Sequence, residues 1–150
     1  MLLYLDANCF NRPFDDQHQD RIRQEAAAVL EILQRILDGK DELAWSSALT
    51  LELTAHPEPD IRAQLTSWAR HSRDILTSHA PLRRRVEAFV GLGLKALDAA
   101  HVAFAEAAGC TAFLTCDDRL ARQASRLGLS LRVLNPVEYL SEARHAGTAD

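Results

Sequence analysis

The run Leu2-Leu3-Tyr4-Leu5 near the start of the chain is too short for a stable helix and stops abruptly on Asp6, with Asn8 two residues on. A continuous apolar run of this kind reads as a strand buried on both faces, the pattern of a parallel sheet covered by helices. The carboxylate at its end matters because ligands of open α/β sheets bind beyond the carboxyl ends of the strands. Three more acids, Glu52, Asp98 and Asp117, stand in similarly apolar surroundings. They are expected to converge on Asp6 and hold a divalent metal ion.

The rest of the chain alternates between helical and strand patterns. Asn11 to Asp20 is polar and broken by Pro13, so it reads as loop or one helical turn. Ile22, Ala26, Val29, Leu30, Leu33 and Leu37 recur at helical spacing over residues 21–37, and Gly39 closes that helix. Residues 43–45 make a short strand, after which Ser46 or Ser47 caps a helix to about residue 55. Pro57 and Pro59 break the chain before a helix over 60–71, with Ile61, Leu65 and Trp68 facing inward. Ile75 and Leu76 suggest a minor strand, residues 82–90 a helix, and the alanine-rich 96–108 a helix stopped by Gly109. Residues 112–115 are a buried strand, Asp117 or Asp118 caps a helix to Leu127, and 131–134 are the last strand. Pro136 then opens a terminal helical turn, and 142–150 reads as a polar, frayed tail. This alternation gives an α/β protein: one three-layer domain over 1–150, a central parallel sheet with helices on both faces.

Composition narrows the function classes. With 47% hydrophobic and 25% charged residues, the 150-residue chain can bury a full core. No apolar run approaches a membrane span and no basic signal segment opens the chain, so a cytoplasmic protein without membrane association is expected. Cys9, Cys110 and Cys116 are odd in number and lack C-x-x-C spacing, which argues for core packing over disulfides or zinc; Cys9 and Cys116 could at most line the site. The net charge of −4 offers no global basic field, but clustered acids lower it, and phosphate contacts need only a local patch. Arg83-Arg84-Arg85 and the helically spaced Arg119, Arg122 and Arg126 are such patches, each also explained as a solvated helix face.

Each acid has an ordinary alternative. Asp6 could be a turn or cap residue, and Asn8 could serve the turn or orient a ligand water. Glu52 lies among Leu49, Leu51 and Leu53, where an at least partly buried carboxylate requires a positive partner; positions 48, 49, 55 and 56 hold no lysine or arginine, though an arginine from elsewhere could serve. Asp98 opens a helix, where an acid suits the dipole. His101, one turn later, is read as a partly buried imidazole bonded to a carbonyl, with contact to substrate or a metal-bound water as the alternative. Asp117 and Asp118 can each cap a helix. The combination is the telling feature: two acids at strand ends, one on a helix after a strand and one at a helix start. Carboxylates from separate segments, without a cysteine or histidine cage, suit Mg²⁺ or Mn²⁺ better than zinc.

In order, the segments Leu5-Asp6-Ala7-Asn8, Ser46-Ser47-Ala48-Leu49-Thr50-Leu51-Glu52, Leu97-Asp98-Ala99-Ala100-His101-Val102-Ala103 and Leu114-Thr115-Cys116-Asp117 resemble the motifs of the PIN-domain family, small metal-dependent nucleases that include VapC-type toxins. The resemblance implies a parallel sheet in strand order 3-2-1-4-5 with the acids past its carboxyl edge. It also implies an endoribonuclease leaving 5′-phosphate and 3′-hydroxyl ends, an RNA substrate, an antitoxin partner and a homodimer. Asp6, Glu52, Asp98 and Asp117 would be the catalytic metal ligands, with Asn8, Thr115 and His101 around them; the T-x-D match favours Asp117 over Asp118. Ala7 replaces the family's usual hydroxyl residue, and Asn11-Arg12-Pro13-Phe14-Asp15-Asp16 resembles a distinct branch of the family. Two rival readings remain: a catalytically silent PIN-like module that binds RNA or protein, and an aspartate-based phosphatase or phospho-acceptor domain. Against the latter, position 8 is Asn where a D-x-D would be wanted, and neither Lys40 nor Lys95 follows a late strand.

Overall fold

The apolar runs pair side by side as parallel strands: β1 (Leu2–Leu5), β2 (Glu42–Ser46), β3 (Ser72–Leu76), β4 (Ala112–Leu114) and β5 (Arg132–Leu134). In the computed structural model, which describes residues 1–149, they form one sheet in the order β3-β2-β1-β4-β5. This is the 3-2-1-4-5 order the resemblance implies. Consecutive residues Leu3, Tyr4 and Leu5 of the central strand are all fully buried, so both faces of the sheet are covered. The cover comes from α1 (Ala7–Asn11), α2 (Asp20–Leu37), α3 (Ser47–Leu53), α4 (Pro59–Ser67), α5 (Ala80–Gly91), α6 (Ala96–Ala107), α7 (Asp118–Ala124) and α8 (Pro136–Ala149). No helix among the described residues is long and apolar enough to cross a membrane.

Packing in the core is aromatic at the centre and small at the helix contacts. Tyr4 stacks on Phe113 at 5.5 Å, and Phe10 meets Trp45 edge-on at 5.4 Å. From α6, Ala99, Val102, Ala103 and Ala105 are buried, and these small side chains let that helix lie close to the sheet. Gly109 follows it at φ 70°, the left-handed conformation that ends a helix at least cost on glycine.

A short helix, α1, follows β1 directly, and the loop or single turn expected over Asn11 to Asp20 contains one 3₁₀ turn, Arg12–Phe14. Three expectations need correction. On α2 the buried stripe is Glu25, Ala26, Ala28, Val29, Ile32, Leu33 and Ile36, while Leu30 and Leu37 are exposed. The helix read over 60–71 is α-helical only to Ser67 and tightens to 3₁₀ over Trp68–His71, and Leu65 alone of its three apolar residues is fully buried. The terminal turn is a helix of 14 residues, α8, running through the segment read as a tail as far as Ala149; Asp150 lies outside the described residues. Buried Tyr139 and Leu140 anchor its start, and Arg144 reaches Glu31 of α2 at 2.5 Å.

Candidate metal centre

Because β1 lies between β2 and β4, chain connections leave it in opposite directions, and a crevice opens past its carboxyl end. Asp6 sits there, 3% exposed, its amide still donating to the Leu114 carbonyl at 2.9 Å. One carboxylate oxygen, Oδ2, accepts from Thr115 Oγ1 at 2.9 Å and Asn8 Nδ2 at 3.0 Å. Asn8 is itself fixed, its Oδ1 accepting from the Cys116 amide at 3.0 Å. The segments after β1 and β4 are thereby stitched together. Behind them the Cys9 and Cys116 sulfurs lie 4.0 Å apart as buried thiols.

Glu52, on α3, finds its partner on α6. His101 is fully buried, not partly, and bonds no carbonyl: its Nε2 is 2.8 Å from Glu52 Oε2 and its Nδ1 is 2.6 Å from the Tyr4 hydroxyl. That hydroxyl is also 2.6 Å from Ser46 Oγ, and Ser46 caps α3 by accepting from the Leu49 amide at 3.2 Å. Ligand atoms of Asp6, Glu52 and His101 all lie within 4.8 Å of one another.

Asp98 and Asp117 are outside that tight group but share its field. Burial, and then the charge of Asp117, raise the Asp98 carboxyl above its usual range, and Glu52 adds to the effect. Burial pushes Asp6 from 3.8 up to about 6, with Glu52 and Asp98 adding while His101 and the Thr115 hydrogen bond oppose. Among the described residues no lysine or arginine forms an ion pair with any of these four acids. Crowded carboxylates with no lysine or arginine paired to them, supplied by the end of β1, α3, α6 and the β4–α7 turn, are a donor set that fits a hard divalent ion.

Neighbouring Asp117 and Asp118 have different fates. Asp117 caps α7, its Oδ1 accepting from the amides of Arg119 (3.0 Å) and Leu120 (3.2 Å). Asp118 is exposed and paired at both oxygens with Arg21, 2.7 Å each, which holds its carboxyl below the usual range. Arg21 also reaches the Cys116 carbonyl at 3.4 Å, so it grips the turn on either side of Asp117. Arg21 in turn meets Glu25, a carboxylate 1% exposed that Arg12 (2.9 Å) and Asn135 (2.5 Å) also hold. Of the basic patches, Arg85 is consumed by a two-point pair with Glu106 and by lying over the Phe89 ring, whereas Arg119 and Arg126 have no side-chain ion pair among the described residues.

Sequence reasoning overlooked Tyr4, Glu25 and the clamping role of Arg21. Tyr4 left a signal: a buried tyrosine hydroxyl needs a partner, and Tyr4 stands two residues before Asp6, on the same side of the strand. Glu25 left only its i,i+4 spacing from Arg21, the mark of an exposed helix pair, and its burial depends on Asn135, 110 positions on.

No match was found among curated proteins. Among solved structures the chain is similar to FitAcB from Neisseria gonorrhoeae, at 18% identity and a TM-score of 0.56 over 91% of this chain and 98% of that one. It is also similar to VapBC from Salmonella typhimurium bound to DNA, at 15% identity and a TM-score of 0.55 over 91% and 99% of the chains. VapBC2 from Rickettsia felis, bound to a DNA fragment from the promoter, matches at 15% identity and a TM-score of 0.52 over 90% and 98%. At these identities the likeness speaks for the fold. The family model for the PIN domain matches residues 3–126, a span that takes in β1 with Asp6, α3 with Glu52, α6 with Asp98 and the turn with Asp117, and the chain belongs to the PIN domain family.

Proposed function

We propose that this protein is a divalent-metal-dependent endoribonuclease in which Asp6, Glu52, Asp98 and Asp117 together hold Mg²⁺ or Mn²⁺. One observation carries the reading: the Asp6 carboxylate is shut away from water with only two neutral donors, and Glu52 and Asp98 add negative charge against which only His101 stands. Such a site is costly empty and favourable once a cation neutralises it. When bound, the ion supplies charge stabilisation at the phosphate and a water of lowered pKa. Asn8 and Thr115 fix one oxygen of Asp6 and leave the other for the ion. Asp117 keeps its Oδ2 free while Oδ1 caps α7.

The protein acts, in this reading, as a single cytoplasmic domain, a homodimer and the toxin of a toxin–antitoxin pair. Three buried free thiols suit a reducing compartment. Two of the similar structures are VapBC assemblies on DNA, which supports an antitoxin partner for this chain.

Incubating the protein and its Asp98→Asn variant with structured and single-stranded RNAs, in Mn²⁺, Mg²⁺ or EDTA, tests the proposal. Metal-dependent cuts with 5′-phosphate ends, absent in the variant, are expected. Equal cutting by the variant or in EDTA contradicts it. Metal binding without cutting of any RNA would favour a silent binding module, and a phosphate trapped on Asp6 a phospho-acceptor domain.

A further inference from the structure

Four buried or half-buried polar side chains from four different elements close into a ring beside the acids. Tyr4 comes from β1, Ser46 from the end of β2, Glu52 from α3 and His101 from α6. The bonds run Ser46 to Tyr4 at 2.6 Å, Tyr4 to His101 at 2.6 Å and His101 to Glu52 at 2.8 Å. The return from Glu52 is the helix itself, since Ser46 caps α3 through the Leu49 amide. Tyr4, on β1, precedes Asp6 by two residues, and His101 follows Asp98 by three on the same helix. Three acid-bearing elements are thus tied to one another by bonds that do not use the acids' free oxygens.

Only one direction of donation satisfies the ring. If Ser46 O–H donates to Tyr4, Tyr4 O–H to His101 Nδ1 and His101 Nε2–H to Glu52 Oε2, every hydrogen has an acceptor and Ser46 Oγ still accepts from Leu49. Reversed, Tyr4 and Leu49 would both donate to Ser46 Oγ, and the hydroxyl hydrogen of Ser46, a residue with no exposed surface, would have no acceptor among the described residues. The first direction defines an imidazole with its hydrogen on Nε2. Glu52 Oε1 is left without a hydrogen bond from the described residues.

We propose that Tyr4, Ser46 and His101 are positioning residues for the metal centre: they hold Glu52 by one oxygen and present the other to the cation. This rests on the metal reading above. Partners that orient a ligand are worth about 10- to 100-fold in metal affinity. Calorimetric Mn²⁺ titration of the full chain, compared with Tyr4→Phe, His101→Gln and His101→Leu, tests it, with thermal melting in EDTA alongside. His101→Leu is expected to weaken Mn²⁺ binding by about 10- to 100-fold. His101→Gln, whose amide N–H can replace Nε2–H, is expected to restore most of that loss. Tyr4→Phe keeps the stack on Phe113 and is expected to weaken Mn²⁺ in the same direction. Long-range ¹⁵N–¹H correlation spectra should show the Nε2–H tautomer at His101. Unchanged Mn²⁺ affinity in Tyr4→Phe and in whichever His101 variants fold overturns the proposal, as does a Gln variant no better than Leu. Should His101→Leu fail to fold, Tyr4→Phe decides. Absence of Mn²⁺ binding by the unaltered protein removes the metal reading itself, which separates the two failures.

Discussion

Replacing Asp6 with Asn should make the metal-free protein more stable while removing its affinity for metal. Asn keeps the oxygen that accepts from Thr115 and Asn8 and discards the charge. In the folded protein the Asp6 carboxyl holds its proton up to about 6, against 3.8 ordinarily, chiefly because it is buried. The sign follows from proton counting. Below about pH 4 both folded and unfolded chains carry the proton, and Asp6 costs nothing. Between there and pH 6 the unfolded chain has released it and the folded chain has not, so stability falls as pH rises. Above pH 6 the full penalty stands, about 3 kcal/mol at ~1.4 kcal/mol per pH unit. Urea unfolding in EDTA at pH 7.5 and 4.0 should therefore show Asp6→Asn more stable by up to about 3 kcal/mol at the higher pH, with the gap closing at the lower. Mn²⁺ at 100 times its dissociation constant should return about 2.7 kcal/mol to the unaltered protein and nothing to the variant. An Asp6→Asn protein less stable than the original at pH 7.5 in EDTA would refute the reasoning.

The other expectations concern the frame around the acids. Arg12→Ala leaves Glu25 with Asn135 and the more distant Arg21 inside the protein, and should cost about 3 kcal/mol in urea unfolding. Arg21→Ala releases the turn bearing Asp117; Mn²⁺ affinity should drop by about 10-fold while far-UV circular dichroism stays unchanged. Ser46→Ala removes the cap of α3 and one bond of the ring, and should lower stability by about 1 kcal/mol. Because a cation competes with protons on Asp6, Mn²⁺ affinity should fall steeply as pH drops through about 6.

What could be read from the sequence was whatever is encoded locally. Leu2 to Asp6 announced a central strand ending in an acid and the alanine-rich segment announced α6, whereas the strand order came only as what the resemblance to the PIN-domain family implies. Glu52 was singled out because a carboxylate among leucines needs a partner, and the structure supplies His101 rather than an arginine. Long-range pairing was invisible. The ring through Tyr4 joins residues 42 and 97 positions apart, and Glu25 of α2 meets Asn135 across 110 positions. The length of α8 was missed for the same reason, since Arg144 pairs with Glu31 across 113 positions. Apolar spacing alone does not fix the phase of α2, because Leu30 and Leu37, seven residues apart, share a stripe that faces away from the core.

Diffraction from crystals soaked in Mn²⁺ decides whether these acids form a divalent-metal site. An anomalous peak within coordinating distance of Asp6 and Glu52, lost in Asp6→Asn crystals, is the predicted result. Well-ordered crystals at saturating Mn²⁺ with no peak beside Asp6, or with a peak that survives the substitution undiminished, would contradict it.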